Sequence, residues 1–128
     1  MLTFGGWSGV EHLADLHRYD GWADAWTELL PAPASGPAAR AGHAAAWDPD
    51  SMSMFVFAGV QNSSGMLSYD RTIHKYSPLK NAWSSVQNGE SPPARADHAM
   101  LLDPSSTTLF TFGGYNSSYL RGSSPIMP

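Results

Sequence analysis

The sequence contains no cysteine and carries few charges. Charged residues make up 14 % of its 128 residues, and the formal net charge at pH 7 is −4. The absence of cysteine excludes disulfide bonds and thiolate metal sites. No basic cluster occurs, which argues against nucleic acid or an anionic membrane surface as the main partner. No apolar run approaches the roughly 20 residues that a membrane-spanning helix needs, so we expect no membrane insertion.

The first residues do not resemble a secretory signal peptide. Met1 leads directly into the segment LTFGG, which is typical of the end of a β-strand. A signal peptide would instead begin with positive charge and continue through an apolar stretch of seven or more residues. Together with the lack of cysteine, this favours an intracellular protein.

Turn-forming and aromatic residues, by contrast, are abundant. The chain has 12 glycines, ten prolines and five each of tryptophan, tyrosine and phenylalanine. Glycine and proline interrupt regular structure at turns, whereas aromatic residues are enriched in strands. The composition therefore favours an all-β protein over a helical one.

Two blocks of sequence recur at almost the same spacing. Residues 40–60 align without a gap with residues 95–115, at an offset of 55, and ten of the 21 positions are identical. Residues 16–29 align with residues 73–86 at an offset of 57. Two independent blocks with nearly one period indicate a repeat architecture.

Each repeat unit is predicted to contain four strands. In the complete unit they lie at about 41–47, 54–58, 72–77 and 82–87, and we label them a, b, c and d. Val10–Leu16 has some helical spacing, but its counterpart in the next unit has none, so we do not predict a helix there. Four short strands in a period of about 50 residues are typical of the blade of a β-propeller.

The repeated residues resemble the kelch motif. The motif combines Arg-x-x-His, an apolar strand that ends in Phe-Gly-Gly, a Tyr-Asp pair and a later tryptophan. The complete unit matches it at Arg40, His43, Phe57, Gly59, Tyr76 and Trp83. It departs from the motif at Ala58, which replaces the first glycine, and at Ser77, which replaces the aspartate. Ala58 shows that this position does not demand a glycine in every unit.

The resemblance implies an all-β fold of kelch-type blades, each a four-stranded antiparallel sheet, that form an incomplete ring. Residues 1–29 would supply strands b, c and d of a first repeat, residues 40–87 a complete repeat, and residues 95–122 strands a and b of a third. Closed propellers contain four to eight blades. The chain is thus a fragment of a longer propeller, a self-associating protein whose copies complete one another, or a subunit of a larger complex.

A binding surface is predicted on the b–c and d–a connections, which share one end of the sheets and are long and variable. The candidate contact residues are Trp7, Tyr69 and Tyr115, because aromatic residues anchor interfaces. Arg40 and Arg95 fall at the same end, near the start of strand a. Both arginines recur in the repeat, so a structural hydrogen-bonding role is an equal alternative to ligand contact.

Catalysis is not expected. Four of the five histidines form repeat-equivalent pairs, His17 with His74 and His43 with His98, and such recurrence is typical of a structural position. No hydrolase triad, zinc motif or phosphate-binding loop stands out, so we expect no catalytic residue, metal or other cofactor. The recurrence of Trp26 and Trp83 similarly predicts packing between sheets.

The predicted function is therefore a kelch-repeat module for protein–protein interaction or assembly. Its partner would be another protein or further copies of the chain that complete the propeller. Two alternatives stay open. The chain could be a structural subunit whose exposed sheet faces are the interface, or part of a propeller that binds carbohydrate or carries an enzymatic site.

Overall fold

The computed structural model describes residues 1–32, 36–86, 90–117 and 123–126, the last range for the backbone alone. These residues contain twelve strands and no helix. The strands are β1 (Leu2–Trp7), β2 (His12–Asp20), β3 (Ala25–Leu29), β4 (Ala44–Asp48), β5 (Ser53–Phe57), β6 (Val60–Ser63), β7 (Met66–Tyr69), β8 (Ile73–Ser77), β9 (Ala82–Val86), β10 (Ala99–Asp103), β11 (Thr108–Phe112) and β12 (Ser123–Ile126). The all-β prediction is confirmed, and β2 replaces the helical alternative at Val10–Leu16.

The strands form three main sheets and one hairpin. The first sheet has the order β1-β2-β3, the central sheet β4-β5-β8-β9 and the third sheet β10-β11-β12, while β6 and β7 pair as a hairpin. Every strand pair is antiparallel. Within the described ranges each sheet is open, with two edge strands.

The four strands predicted for the complete repeat correspond to β4, β5, β8 and β9, in that order. Two features of the fold were not predicted. The hairpin β6–β7 occupies part of the b–c connection, and β12 adds a third strand to the sheet for which only strands a and b were expected. Both outer sheets therefore have three strands.

Aspartates begin the equivalent turns between strands a and b. A carboxylate oxygen of Asp48 accepts the backbone N–H of Asp50 at 3.1 Å, and Asp103 accepts that of Ser105 at 2.9 Å. Aspartate favours turns because its side chain can bind the backbone two residues ahead. Both aspartates precede a proline, at Pro49 and Pro104, and this repeated Asp-Pro pair thus has a local structural cause.

The first and central sheets pack face to face. Phe4 and Leu16 of the first sheet lie against a surface of the central sheet formed by alternate residues of its strands, namely Met54, Val56, Tyr76 and Trp83. The ring centroids of Phe4 and Trp83 are 5.1 Å apart in an edge-to-face arrangement. Burial of each such side chain contributes about 1.5–3 kcal/mol.

The central and third sheets also pack face to face, and again the earlier sheet contributes phenylalanine side chains. Phe55, Phe57 and Ile73 of the central sheet lie against Leu109 of the third sheet. Met100 and Leu102 pack at the margin of this cluster. Strand β5 is buried along its whole length because the central sheet is covered on both faces. This explains its apolar sequence, which lacks the alternation of a strand with one face in water.

The packing predicts very different effects for two equivalent phenylalanines. Phe57 is 0 % exposed and Phe112 is 60 % exposed. Replacing Phe57 with Ala should lower the free energy of unfolding by about 3–5 kcal/mol, because the change opens a cavity in the core. Phe112→Ala should change it by less than about 0.5 kcal/mol. Denaturant titration of dilute protein measures both values, and similar losses for the two variants would contradict the packing.

Candidate functional site

Arg40 lies buried at the junction of the first and central sheets, with 1 % of its surface exposed. A terminal nitrogen of its guanidinium donates to the backbone carbonyl of Ala58 at 2.8 Å and to the carboxylate of Asp70 at 2.7 Å. Its Nε donates to the carbonyl of Ala38 at 3.0 Å. The side chain thus binds both ends of the b–c connection of its own sheet, Ala58 just after strand b and Asp70 just before strand c.

The backbone of the same arginine binds the neighbouring sheet. The N–H of Gly6 donates to the carbonyl of Arg40 at 2.8 Å, and the N–H of Arg40 donates to the carbonyl of Leu13 at 3.0 Å. Arg40 therefore spans the junction, with its main chain on the first sheet and its guanidinium in the central sheet.

Arg95 repeats this arrangement at the second junction. Its Nε donates to the carbonyl of Pro93 at 3.0 Å, and its terminal nitrogen donates to the carbonyl of Gly113 at 2.8 Å. Its own carbonyl accepts the N–H of Gly59 at 2.8 Å, and its N–H donates to the carbonyl of Asp70 at 3.3 Å. The repeated arginines thus hold equivalent positions between successive sheets.

The carbonyls that the terminal guanidinium nitrogens bind belong to residues with left-handed backbone. Ala58 has a φ of 63° and Gly113 a φ of 71°. This conformation costs an alanine roughly 1–2 kcal/mol, so the Ala58 position tolerates a side chain under strain. The next residue, Gly59, cannot carry one, because a Cβ there would lie 2.9 Å from the carbonyl oxygen of Ala41. In the central sheet Gly59 therefore has the stricter requirement of these two positions.

Asp70 is a polar partner of Arg40 that the repeat pattern did not reveal. Besides the guanidinium, its carboxylate accepts the hydroxyl of Thr72 at 2.8 Å and the N–H of Arg71 at 2.7 Å. Burial alone would raise the pKa of Asp70, but the His74 imidazole 3.7 Å away and the hydrogen bonds from Arg40 and Thr72 outweigh it and hold the pKa well below its usual range. The carboxylate is charged at neutral pH.

The side chains of Tyr69 and Tyr115 pack against each other near the two arginines. Their ring centroids are 6.1 Å apart at an interplanar angle of 73°. Tyr69 pairs with Val60 in the hairpin, and Val60 forms a bridge with Ala41, next to Arg40. Tyr115 forms the equivalent bridge with Ala96, next to Arg95. The structure thus brings together four of the five candidate residues, Arg40, Arg95, Tyr69 and Tyr115.

Trp7, the fifth candidate, lies on the first sheet at the same end of the strands. It is exposed and packs against the His12 ring, with centroids 5.0 Å apart. In the repeat it is equivalent to Tyr115. Trp7 follows Gly6, whose N–H binds the Arg40 carbonyl at the junction of the first and central sheets. Tyr115 instead bridges Ala96, next to Arg95, at the junction of the central and third sheets.

The hairpin adds an exposed apolar edge that the sequence analysis did not single out. Met66 and Leu67 begin β7 and are both exposed, three and two residues before Tyr69. Only Leu67 shares a side of the strand with Tyr69, because successive side chains of a strand point to opposite faces. We use the name tyrosine surface for Tyr69, Tyr115 and Leu67. The additional length of the second b–c connection was the available signal, since an insertion in a repeat often carries function.

His43 and His98, one of the two histidine pairs, occupy equivalent packing positions. The ring of His43 meets Phe4 edge to face at 5.5 Å, and that of His98 meets Phe57 at 5.4 Å. Neither ring nitrogen of His98 has a hydrogen-bond partner among the described residues. Burial, with smaller effects from Arg95 and His43, lowers the pKa of His98 to about 4. These histidines are neutral packing groups at pH 7.

A separate cleft opens at the opposite end of the strands, between the first and central sheets. Its volume is about 670 Å³. The lining residues come from the start of β1, the end of β2 and the facing parts of the central sheet, and they include Met1, Tyr19, Trp47, Met54 and Pro78. None of the five candidate residues lines this cleft.

No known protein-family model matches the chain. Among the residues that the structure describes, no group of three or more histidine, aspartate or glutamate side chains is placed to hold a metal ion. The same residues include no helix of the length and apolarity needed to cross a membrane.

The environment of His98 predicts a loss of stability in mild acid. The folded pKa of about 4 lies below the ordinary value of 6.5, so the unfolded chain binds the proton more readily. This stabilising contribution is complete above pH 6.5 and is lost as the pH falls from 6.5 to 4, by about 1–2 kcal/mol after allowance for solvent screening. Replacing His98 with Phe preserves the ring and should flatten that part of the stability–pH curve, measured by denaturant titration. An unchanged slope would contradict the assignment.

Proposed function

We propose that the chain is a segment of a kelch-type β-propeller and acts as a non-catalytic protein-binding module. The observation that supports the kelch assignment is the equivalence of the two junctions. The motif residues arginine, histidine, phenylalanine and glycine perform the same contacts twice, at Arg40 and at Arg95. In this proposal each of the three sheets is a blade, and the recurring residues maintain the distance between blades.

The proposed contact area is the tyrosine surface. Its two aromatic rings pack on each other, and each tyrosine is linked through backbone bridges to a segment that a buried arginine holds in place. An aromatic pair on such a support can bind a partner without a large loss of side-chain freedom. The exposed Leu67, two residues before Tyr69 on the same side of β7, extends the area with an apolar side chain.

The arginines support this surface and do not contact the partner. Arg40 and Arg95 are 1 % and 4 % exposed, and their guanidinium groups already bind backbone carbonyls. Ligand contact would require breaking hydrogen bonds that are each worth about 1.5–3 kcal/mol. The partner class that suits the tyrosine surface is a peptide segment with apolar side chains, because the exposed groups are mainly aromatic and aliphatic.

A peptide-display selection tests this proposal. The wild-type chain should enrich peptides with apolar anchors, and the double variant Tyr69→Ala, Tyr115→Ala should bind the enriched peptides at least tenfold more weakly, since aromatic anchors carry most of the binding energy. Trp22→Ala is the matched control, because Trp22 is fully exposed in the turn between β2 and β3, at the other end of the strands.

Two results would contradict the proposal. One is a selection that enriches no peptide family. The other is a set of peptides whose binding depends on Trp22 and is indifferent to the tyrosine substitutions. Circular dichroism of the double variant confirms that any loss of binding arises in a folded chain.

A further inference from the structure

The two junctions between sheets share one direction of packing. In each, phenylalanines from strand b of one sheet enter the next sheet along the chain: Phe4 enters the central sheet, and Phe57 enters the third sheet. We call the side of a sheet that carries these rings its inserting face. We call the opposite side, which accepts the rings of the preceding sheet, its receiving face.

The inserting face of the third sheet is exposed to solvent. Phe110 and Phe112 occupy the positions of Phe55 and Phe57, and all four point toward the side where a following sheet would lie. Phe112 lies opposite Ala99, and Phe110 lies opposite Leu101. These four residues of the third sheet form a continuous apolar patch, and each is exposed. Their central-sheet counterparts Phe55 and Phe57 are buried because the third sheet covers them.

The receiving face of the first sheet is exposed as well, and it carries the residue types of a working receiving face. The central sheet receives Phe4 with Met54, Val56, Tyr76 and Trp83. The equivalent residues of the first sheet are Met1, Thr3, Tyr19 and Trp26, three of them identical in type. Trp26 is 52 % exposed, whereas Trp83 is 6 % exposed. The prediction that both tryptophans pack between sheets is confirmed for Trp83 alone.

The exposed tryptophan already has the geometry of the buried one. The ring centroids of Tyr19 and Trp26 are 5.2 Å apart at 48°, and those of Tyr76 and Trp83 are 5.2 Å apart at 49°. The Tyr19 hydroxyl donates to Asp24 at 2.7 Å, just as that of Tyr76 donates to Asn81 at 2.8 Å. The receiving face of the first sheet is therefore preorganised without a sheet packed on it.

We propose that the chain associates with a second copy of itself head to tail, so that the inserting face of one third sheet packs on the receiving face of another first sheet. Phe112 of one copy would lie against Trp26 of the next, as Phe4 lies against Trp83 within the chain. The interface continues a sheet-on-sheet packing that occurs twice inside each copy. Such a heterologous contact produces a closed ring or an open chain of copies.

The contact differs from the self-association that the sequence suggested, in which strands a and b of one copy would complete a sheet of the next copy. Both outer sheets already have three strands, and β1 and β12 occupy the places beside β2 and β11. Whole sheets would therefore stack, and no strand would move between copies. The interface also lies apart from the tyrosine surface, so its formation does not depend on the proposed peptide binding.

One residue of the receiving face opposes this association. Glu28 lies opposite His17 on β2 and shares its side of the sheet, whereas the equivalent residue in the central sheet is Ser85. Burial of an unpaired carboxylate is unfavourable. The variant Glu28→Ser should therefore tighten the association, by roughly fivefold or more. A tighter association is expected only if residue 28 lies in the interface, as the proposed geometry requires.

Sedimentation equilibrium tests the proposal with two complementary variants. Wild-type chain should show concentration-dependent species heavier than 13.8 kDa. Phe112→Asp destroys only the inserting face, and Trp26→Asp only the receiving face, so each variant alone should stay monomeric. An equimolar mixture should form a one-to-one dimer and nothing larger, because one intact junction is left. Leu79→Asp, on an exposed turn outside both faces, is the control and should associate like wild type.

Several outcomes would overturn the proposal. Wild-type chain that stays monomeric up to about 1 mM would do so, as would a mixture of folded variants that forms no dimer. Thr3→Arg replaces Trp26→Asp if the latter fails to fold by circular dichroism. The double tyrosine variant should associate like wild type, so a failure of peptide binding and a failure of self-association are separate results.

Discussion

Each buried arginine hydrogen-bonds to two sheets, and the stacking of the three sheets depends on these hydrogen bonds. Arg40 accepts the Gly6 N–H with its carbonyl and binds the Ala58 carbonyl with its guanidinium, so one residue connects the first sheet to the central sheet. Arg95 does the same between the central and third sheets. A buried charge is tolerated here because carbonyl oxygens, and for Arg40 the Asp70 carboxylate, satisfy its donors.

The direction of packing follows from these junctions. Each arginine fixes a strand a beside the end of the preceding strand b, and the phenylalanine of that strand b then meets the histidine that follows the arginine, as Phe4 meets His43. The same phenylalanine position is therefore buried wherever another sheet follows and exposed in the third sheet. Two unlike faces result, one at each side of the stack, and the tyrosine surface lies across the ends of the strands.

The sequence predicted the parts of the fold that recur and missed the parts that do not. The positions of β4, β5, β8 and β9 and the burial of Trp83 were predictable, because identical residues at a fixed spacing reflect a repeated environment. Among the residues that the structure describes, the hairpin β6–β7 and the Arg40–Asp70 ion pair have no repeated counterpart from which to infer them. The exposure of Trp26 could not be predicted either. A repeated residue indicates what kind of sheet its position can pack against, but not whether such a sheet is present.

Amide hydrogen exchange of the Arg95→Met variant tests the central claim most directly. In wild-type protein the N–H groups of Gly6 and Gly59 bind the carbonyls of Arg40 and Arg95, so both should be protected. Loss of the Arg95 guanidinium should release the second junction alone, because that group binds only Pro93 and Gly113, which lie outside the first junction. Protection of Gly59 should then fall at least tenfold while that of Gly6 is retained. Equal protection of both amides in the variant, or equal loss, would contradict the account.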